Sequence, residues 1–316
     1  MDPVIASFLE NTPEWPGTRT QSISELREAV RSASTAFPPL AVELASIEDR
    51  AIEGPAGEIL VRIYTPTGAG PFPLVTYFHG GGYATGDLDT QDMIARALAA
   101  GAPAVVVSVD YRLAPENPFP AGPEDCYAAT VWAAGNAESL NAHAASVVTA
   151  GDSAGANLAA AVAVMANEAN SIQIRAQLLF YGSFGYPEDT TDSMREFSDG
   201  PILTADDVHY FWELYLPDTS LKNDPKASPS YYPTLEAMPP TFHGSAELDP
   251  SRDYGERFME KLAAAGVKTH QIRYPGMVHG FVSWLGIVPT AEQAVNDACA
   301  FLRETLDTHQ TGDTNT

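Results

Sequence analysis

The sequence predicts an α/β chain: a mainly parallel central sheet flanked by helices, with a helical segment inserted into it. Three observations carry this. From Leu74 onward, short apolar runs alternate with helix-length runs, as expected of strands buried on both faces and joined by helical crossovers. The stretch from Gly182 to about Lys226 is too long for a simple connection and has helical signals of its own. Finally, Gly151-Asp152-Ser153-Ala154-Gly155 lies between an apolar run, Ser146 to Ala150, and an alanine-rich run, Asn157 to Glu168, which gives a strand, a sharp turn and a helix in succession.

Residues 1–40 read as helical and amphipathic. Ser22-Ile23-Ser24-Glu25 has capping-box spacing, Ile23, Leu26, Ala29, Val30 and Ala33 follow a helical period, and Pro38 and Pro39 end the segment. Val42 to Ile52 and Ile59 to Thr65 read as strands, the second alternating Ile59, Val61 and Ile63 against Leu60, Arg62 and Tyr64, with Gly54 and Gly57 at the turn. The buried strands that follow are Leu74 to Phe78, Ala104 to Val109, Ser146 to Ala150, Gln177 to Tyr181, Thr241 to Ser245 and Thr269 to Tyr274. Helices are expected at Asp92 to Ala100, Pro123 to Gly135, Gly155 to Glu168, Arg252 to Ala265 and Thr290 to Leu306. Within the long insertion, Thr204-Ala205-Asp206-Asp207 is a helix start preceding the aromatic run Tyr210 to Leu216, and the segment reads as a lid in preference to an extra packing helix. The polar end, Thr308 to Thr316, is expected to fray, and no internal repeat is present.

Composition narrows the function. The formal charge of −24 argues against nucleic acid or anionic membrane surfaces as partners, because either would need a concentrated positive face. Four lysines against 41 acidic residues raise adaptation to high salt as a reading, with an acidic surface as the plain alternative. Cys126 and Cys299 stand far apart without metal-ligand spacing, so free buried thiols are expected, and no metal or organic cofactor site is read. With no basic-then-apolar leader at the start and no long apolar run, a soluble cytoplasmic protein is expected. The last strand, Thr269 to Tyr274, is an edge available for pairing with a second copy, which keeps a homodimer open.

The GxSxG pentapeptide alone is a weak signal, since a chain of this length meets it by chance on the order of one time in ten. His79-Gly80-Gly81-Gly82, directly after the strand Leu74 to Phe78, is far more specific. Glycines there let backbone N–H groups face a reacting oxygen with no side chain in the way. His79 precedes the serine and reads as a brace for the loop. Partners of a nucleophilic serine in this fold follow it in the order acid, then histidine. Asp249, just past the strand Thr241 to Ser245, and His279, past the strand ending at Tyr274, meet that order. Among rival acids, Asp253 begins a helix and Glu247 lies nearer the strand; among rival histidines, His243 falls inside a strand and ahead of Asp249, while His143, His209, His270 and His309 read as surface, loop or tail residues.

With these elements assembled, the chain closely resembles the bacterial hormone-sensitive-lipase family of carboxylesterases, an α/β-hydrolase group with a helical cap. The resemblance covers most of the chain: His79-Gly80-Gly81-Gly82-Tyr83 with Gly86-Asp87, Asp110 to Glu116, Gly151 to Leu158, Leu203-Thr204, Ala227-Ser228-Pro229, Asp249-Pro250 with Arg252-Asp253, and Tyr274 to Met277 before His279-Gly280-Phe281. It implies Ser153 as nucleophile, Asp249 and His279 as its partners, and the N–H groups of Gly81, Gly82 and Ala154 as the oxyanion hole. It also implies a cap made of the N-terminal part (1–40) and inserted helices (182–226) over a core in two parts (41–181 and 227–308), and the polar composition adds a disordered tail (309–316). The chain departs from the family at Ser251 and Tyr254, where leucine and glutamate are usual, and at Asn117, often a histidine, which leaves the packing beneath the acid loop open.

The expected activity is hydrolysis of short- to medium-chain carboxylic esters, a small-molecule substrate, through an acyl-enzyme on Ser153. An amidase, deacetylase or lactonase would use the same three residues, because they specify acyl transfer and not the leaving group. A non-catalytic receptor, as in the plant gibberellin receptors that resemble the family but lack the histidine, is disfavoured by His279. The aromatic residues Tyr83, Phe211, Trp212, Tyr215 and Trp284 are candidates for the substrate pocket; for Phe211, Trp212, Tyr215 and Trp284, packing in the core is an equal reading.

Overall fold

A computed structural model of the chain describes residues 1–11, 17–35, 39–188 and 191–312. Two N-terminal helices, α1 (Pro3–Asn11) and α2 (Ile23–Thr35), precede the antiparallel hairpin β1 (Leu44–Gly54) and β2 (Gly57–Pro66). Strands and helices then alternate: β3 (Phe72–Phe78), α3 (Asp92–Gly101), β4 (Val105–Asp110), α4 (Ala121–Gly135), β5 (Ala142–Asp152), α5 (Ala154–Ala169) and β6 (Ile174–Phe180). The insertion contributes α6 (Asp192–Glu196) and α7 (Ala205–Tyr215), after which β7 (Thr241–Leu248), α8 (Arg252–Ala264), β8 (Thr269–Val278) and α9 (Pro289–Gly312) complete the fold. The eight strands form one sheet in the order β1-β2-β4-β3-β5-β6-β7-β8, antiparallel at β1, β2 and β4 and parallel from β4 onward.

The two-residue period of the strands divides the core between the faces. On β4, Val105, Val107 and Val109 join one cluster with Ala129 and Ala133 of α4, Leu158 of α5 and Phe258 of α8. Val106 points to the other, with Leu98 of α3, Leu302 of α9 and Ile5 of α1. Each of these valines is fully buried, worth about 1.5–3 kcal/mol relative to exposure. The capping box read at Ser22 forms, and the helix start read at Thr204 is one as well. Glu25 accepts from Ser22 N–H at 2.8 Å and returns its own N–H to Ser22 Oγ at 3.3 Å, while Thr204 and Asp207 exchange the same pair at 2.9 and 3.0 Å.

Several boundaries differ from expectation: β5 begins at Ala142, β6 begins at Ile174 and β7 ends at Leu248. β8 runs on to Val278 because its pairing with β7 continues past a register shift to Leu248↔Val278. α9 extends to Gly312, so the expected tail is helical for part of its length, and residues 313–316 lie outside the described ones. β8 is an edge strand, as read. Both cysteines are free and buried. Among the described residues no helix is long and apolar enough to cross a membrane, and no group of three or more His, Cys, Asp or Glu could hold a metal ion.

Candidate active site

Four strands end exactly one residue short of a motif side chain: β3 ends before His79, β5 before Ser153, β7 before Asp249 and β8 before His279. In a parallel sheet these carboxyl ends share one rim, so residues far apart in sequence converge there.

Ser153 is held at φ 54°, ψ −120°, backbone that costs a residue with a side chain on the order of 1–3 kcal/mol. The surroundings enforce it. Ser153 N–H donates to Phe180 O at 2.8 Å, and Gly155 lets the following turn pass so close to β3 that a Cβ there would collide with Phe78 O. The turn lifts Ser153 Oγ to 2.8 Å from His279 Nε2. On the other side of the ring, Nδ1 lies 2.7 Å from Asp249 Oδ2. Asp249 is fully buried, and its second oxygen accepts Ser251 N–H at 2.7 Å. A carboxylate at Nδ1 keeps the proton on that nitrogen and turns the Nε2 lone pair toward the hydroxyl. The arrangement can therefore draw a proton from Ser153 and stabilise the imidazolium that results.

The rival acids are occupied elsewhere. Asp253 accepts Ser193 N–H and Arg252 Nε, both at 2.9 Å; burial alone would raise its pKa, but these bonds outweigh it and hold the carboxyl below its usual range. With Ser193 Oγ donating to Pro250 O at 2.8 Å, Asp253 bolts α6 to the acid loop. Glu247 accepts Gly276 N–H at 2.7 Å. The rival histidine His243 bonds Gln271 Oε1 and accepts Gly182 N–H inside the sheet, where burial pushes its pKa down.

His79 braces the glycine loop. It is fully buried, stacks on Tyr111 at 4.3 Å between ring centroids and sits 2.8 Å from Gly80 O, and burial pushes its pKa down to about 4. Beyond it, Gly81 O accepts from Ala84 N–H, Thr85 N–H and Thr85 Oγ1 at 2.9 to 3.1 Å. In a trans peptide the carbonyl and the next N–H point in opposite directions, so these bonds aim Gly82 N–H away from the Thr85 side of the loop. Gly82 itself has φ +60°, and a Cβ there would strike the ring of Phe211 on α7. Ala154 opens α5, where N–H groups lack intrahelical acceptors. Gly81, Gly82 and Ala154 line one cavity together with Ser153 and His279.

That cavity has a volume of about 220 Å³. Tyr83, Phe211 and Trp212 line it, with Val30 of α2 and Leu203 and Val208 of the insertion. Tyr215 and Trp284 do not. Tyr215 is buried in the core, stacked on Tyr83 at 3.8 Å, and Trp284 packs edge-on against Phe8 of α1 at 4.7 Å. Tyr215 thus packs in the core and Trp284, partly buried, against α1, while Val208, Phe211 and Trp212 of the same α7 stripe reach the cavity.

Asp152 is the residue that sequence reasoning missed, although it stands inside the pentapeptide. Its buried carboxylate accepts Tyr77 OH at 2.6 Å and Gly80 N–H at 2.8 Å, tying the glycine loop to the elbow. Burial pushes its pKa up to about 6 against those two bonds. The signal was an acid in an otherwise small-residue turn. Gln91 and Ser283, bonded to each other at 3.2 Å, also line the cavity and carry no motif.

The α/β-hydrolase fold model matches residues 75–283. Esterase LipI of Mycobacterium tuberculosis is 40% identical over 312 residues, covering 97% of this chain and 95% of that protein. Carboxylesterase NlhH of the same organism is 38% identical, covering 97% and 96%. Among solved structures, the hyperthermophilic esterase from the archaeon Pyrobaculum calidifontis is 35% identical with a TM-score of 0.89, covering 97% of this chain and 99% of that one.

Proposed function

The chain belongs to the α/β-hydrolase family, and from that premise we propose that it is a serine carboxylesterase acting on small neutral esters through an acyl-enzyme on Ser153. The observation that carries this reading is the continuous hydrogen-bonded chain from Ser153 Oγ through His279 to the buried Asp249. His279 Nε2 takes the serine proton as Oγ attacks the ester carbonyl, and Asp249 holds the ring and offsets its charge. The carbonyl oxygen, now anionic, is received by the N–H groups of Gly81, Gly82 and Ala154; one such donor is worth about 10² to 10³ in rate. The intermediate collapses, the alkoxide leaves with the proton from His279, and water repeats the sequence to free the acid.

The names of the relatives, esterase and carboxylesterase, support the reaction class. Substrate size follows from the cavity: its volume and its aromatic and aliphatic walls suit short to medium acyl chains, and among the described residues no lysine or arginine lines it to pair with a charged substrate. In this reading α2 and the insertion carrying α7 act as the cap.

The test is the time course with p-nitrophenyl acetate. Wild type is expected to release up to one nitrophenolate per site ahead of the steady state, or to label stoichiometrically at Ser153 with a fluorophosphonate. Ser153→Ala is expected to lose turnover with its thermal unfolding intact. Turnover retained by that variant would place the nucleophile elsewhere.

A further inference from the structure

We infer that Arg27, on α2 and outside every motif, is a positioning residue that sets the oxyanion loop. The inference rests on the acyl-transfer reading above.

Leu26 seats α2 by burying its side chain, which turns the next residue, Arg27, toward the glycine loop. Arg27 Nε donates to Ala84 O at 2.9 Å and Nη2 to Ala114 O at 3.0 Å. The fork Nη1 and Nη2 closes on the carboxylate of Glu116 at 2.9 and 2.6 Å. Both residues whose carbonyls it holds use their own N–H on the loop: Ala84 N–H donates to Gly81 O, and Ala114 N–H donates to Tyr83 O at 2.9 Å. The guanidinium thus gathers two anchors that grip the chain immediately before and after Gly82. Tyr83, one of the two residues gripped, sits at φ 63°, backbone that a tyrosine keeps only when its surroundings impose it.

Arg27 does not line the cavity, so it acts on the reaction through the loop and not on substrate. Three acceptors in different directions call for a planar fork; an ammonium is a point charge that cannot reach all of them at once. The ion pair with Glu116 is partly exposed and weak in itself, so the bonds to the two carbonyls carry the effect. A residue that merely anchored α2 would alter stability, or substrate affinity through the cap. One that aims Gly82 N–H alters the stabilisation of the oxyanion, which exists only in the transition state.

The experiment compares wild type with Arg27→Met, Arg27→Lys and Glu116→Gln. Inhibition is measured with a trifluoromethyl ketone, to which Ser153 Oγ adds while its proton passes to His279 and the carbonyl electrons become an oxyanion, and with the matched methyl ketone, which binds largely without addition. Labelling of wild-type Ser153 by a fluorophosphonate is scored separately and tests only the acyl-transfer reading. For Arg27→Met we expect kcat to fall by about 10- to 100-fold, less than the loss of a donor outright, with KM within about threefold. Trifluoromethyl ketone affinity should weaken in step with kcat and methyl ketone affinity should hold. Arg27→Lys is expected to recover part of the loss, and Glu116→Gln, which keeps both carbonyl bonds, to lose less than about threefold. If Ser153 labels normally but the two ketones weaken equally, or kcat holds while only the melting temperature drops, Arg27 is an anchor for α2 and the inference falls. Should Arg27→Met fail to fold, the ketone ratio in Arg27→Lys decides in the same way.

Discussion

Asp249, behind His279 in the floor beneath the cavity, has no exposed surface, and its two carboxylate oxygens meet an imidazole and a backbone N–H at 2.7 Å. Arg19, which ties the N-terminal segment to α7 above the cavity, is 35% exposed, and its partners Asp206 and Glu213 are 67% and 55% exposed. Bonds within the floor are shielded from water and fixed by strand ends. The cover is joined to its neighbours by bonds that water and salt can reach; Arg31 likewise reaches from α2 to Asp87 on the loop. On the cap reading, the Ser153–His279–Asp249 chain is thereby kept apart from movement that admits substrate, and Arg27 is the link by which α2 still reaches the glycine loop.

The largest expected effect lies on the floor. Asp249→Asn keeps the shape but loses the carboxylate that fixes the His279 tautomer, and kcat is expected to fall by about 10⁴, as for the acid of serine proteases. Asp253→Asn lies four positions away and bolts α6 to the acid loop without touching the ring, so kcat is expected to change by less than about tenfold. Equal losses would erase the distinction between reacting and supporting carboxylates. Steady-state rates with p-nitrophenyl acetate measure both.

A second prediction concerns the floor's response to pH. His79, held at about 4 by burial, binds its proton more readily when unfolded, so the stability it contributes is lost as pH falls from about 6.5 toward 4. Asp152, pushed up to about 6 by burial, binds its proton more readily when folded, so it contributes stability as pH falls from about 6 toward 3.8. The two groups meet at Gly80, one at its carbonyl and the other at its N–H, and their effects oppose each other over nearly the same range. Asp152→Asn removes the compensating member. From pH 6.5 to 4 this variant is expected to lose on the order of 3 kcal/mol more unfolding free energy than wild type. Denaturant unfolding across that range measures it, and parallel curves would show that Asp152 does not titrate there.

Much of the floor is legible in the sequence because strands, turns and glycines are local. Apolar runs such as Val105 to Val109 declare a strand, the small residues of the pentapeptide declare a tight turn, and chain order alone separates His279 from His243. The cover is less legible because long-range side-chain contacts decide it. Periodicity marks Val208, Phe211, Trp212 and Tyr215 as one apolar stripe, but which of its residues meet the cavity and which only the core depends on where Tyr83 stands. Trp284 reads equally as pocket or core until α1 brings Phe8 onto it. Arg19 and Arg27 carry no motif at all; even their nearest hydrogen-bond partners lie 187 and 57 positions away in sequence.

The smallest expected effect tests the cover. Arg19→Gln breaks the contacts to Asp206 and Glu213 and leaves the floor untouched. Exposed pairs of this kind are worth about 0–1 kcal/mol, so a melting-temperature loss of only a few degrees is expected, with KM rising by about two- to threefold and kcat nearly unchanged. Salt then separates two opposing effects. At molar ionic strength the screening length falls to about 3 Å, which weakens the Arg19 contacts and also relieves repulsion within a chain of net charge −24. The second effect is common to both proteins, so both melting temperatures are expected to rise with salt if the acidic composition reflects salt adaptation, and a flat profile would count against that reading. The first belongs to wild type alone. The gap between wild type and Arg19→Gln is therefore expected to be widest at low salt and to close near 1 M. A gap that stays constant from low to molar salt would mean that Arg19 holds the cover by packing on Tyr210, 4.8 Å from its guanidinium, and that the cover is no more salt-sensitive than the floor.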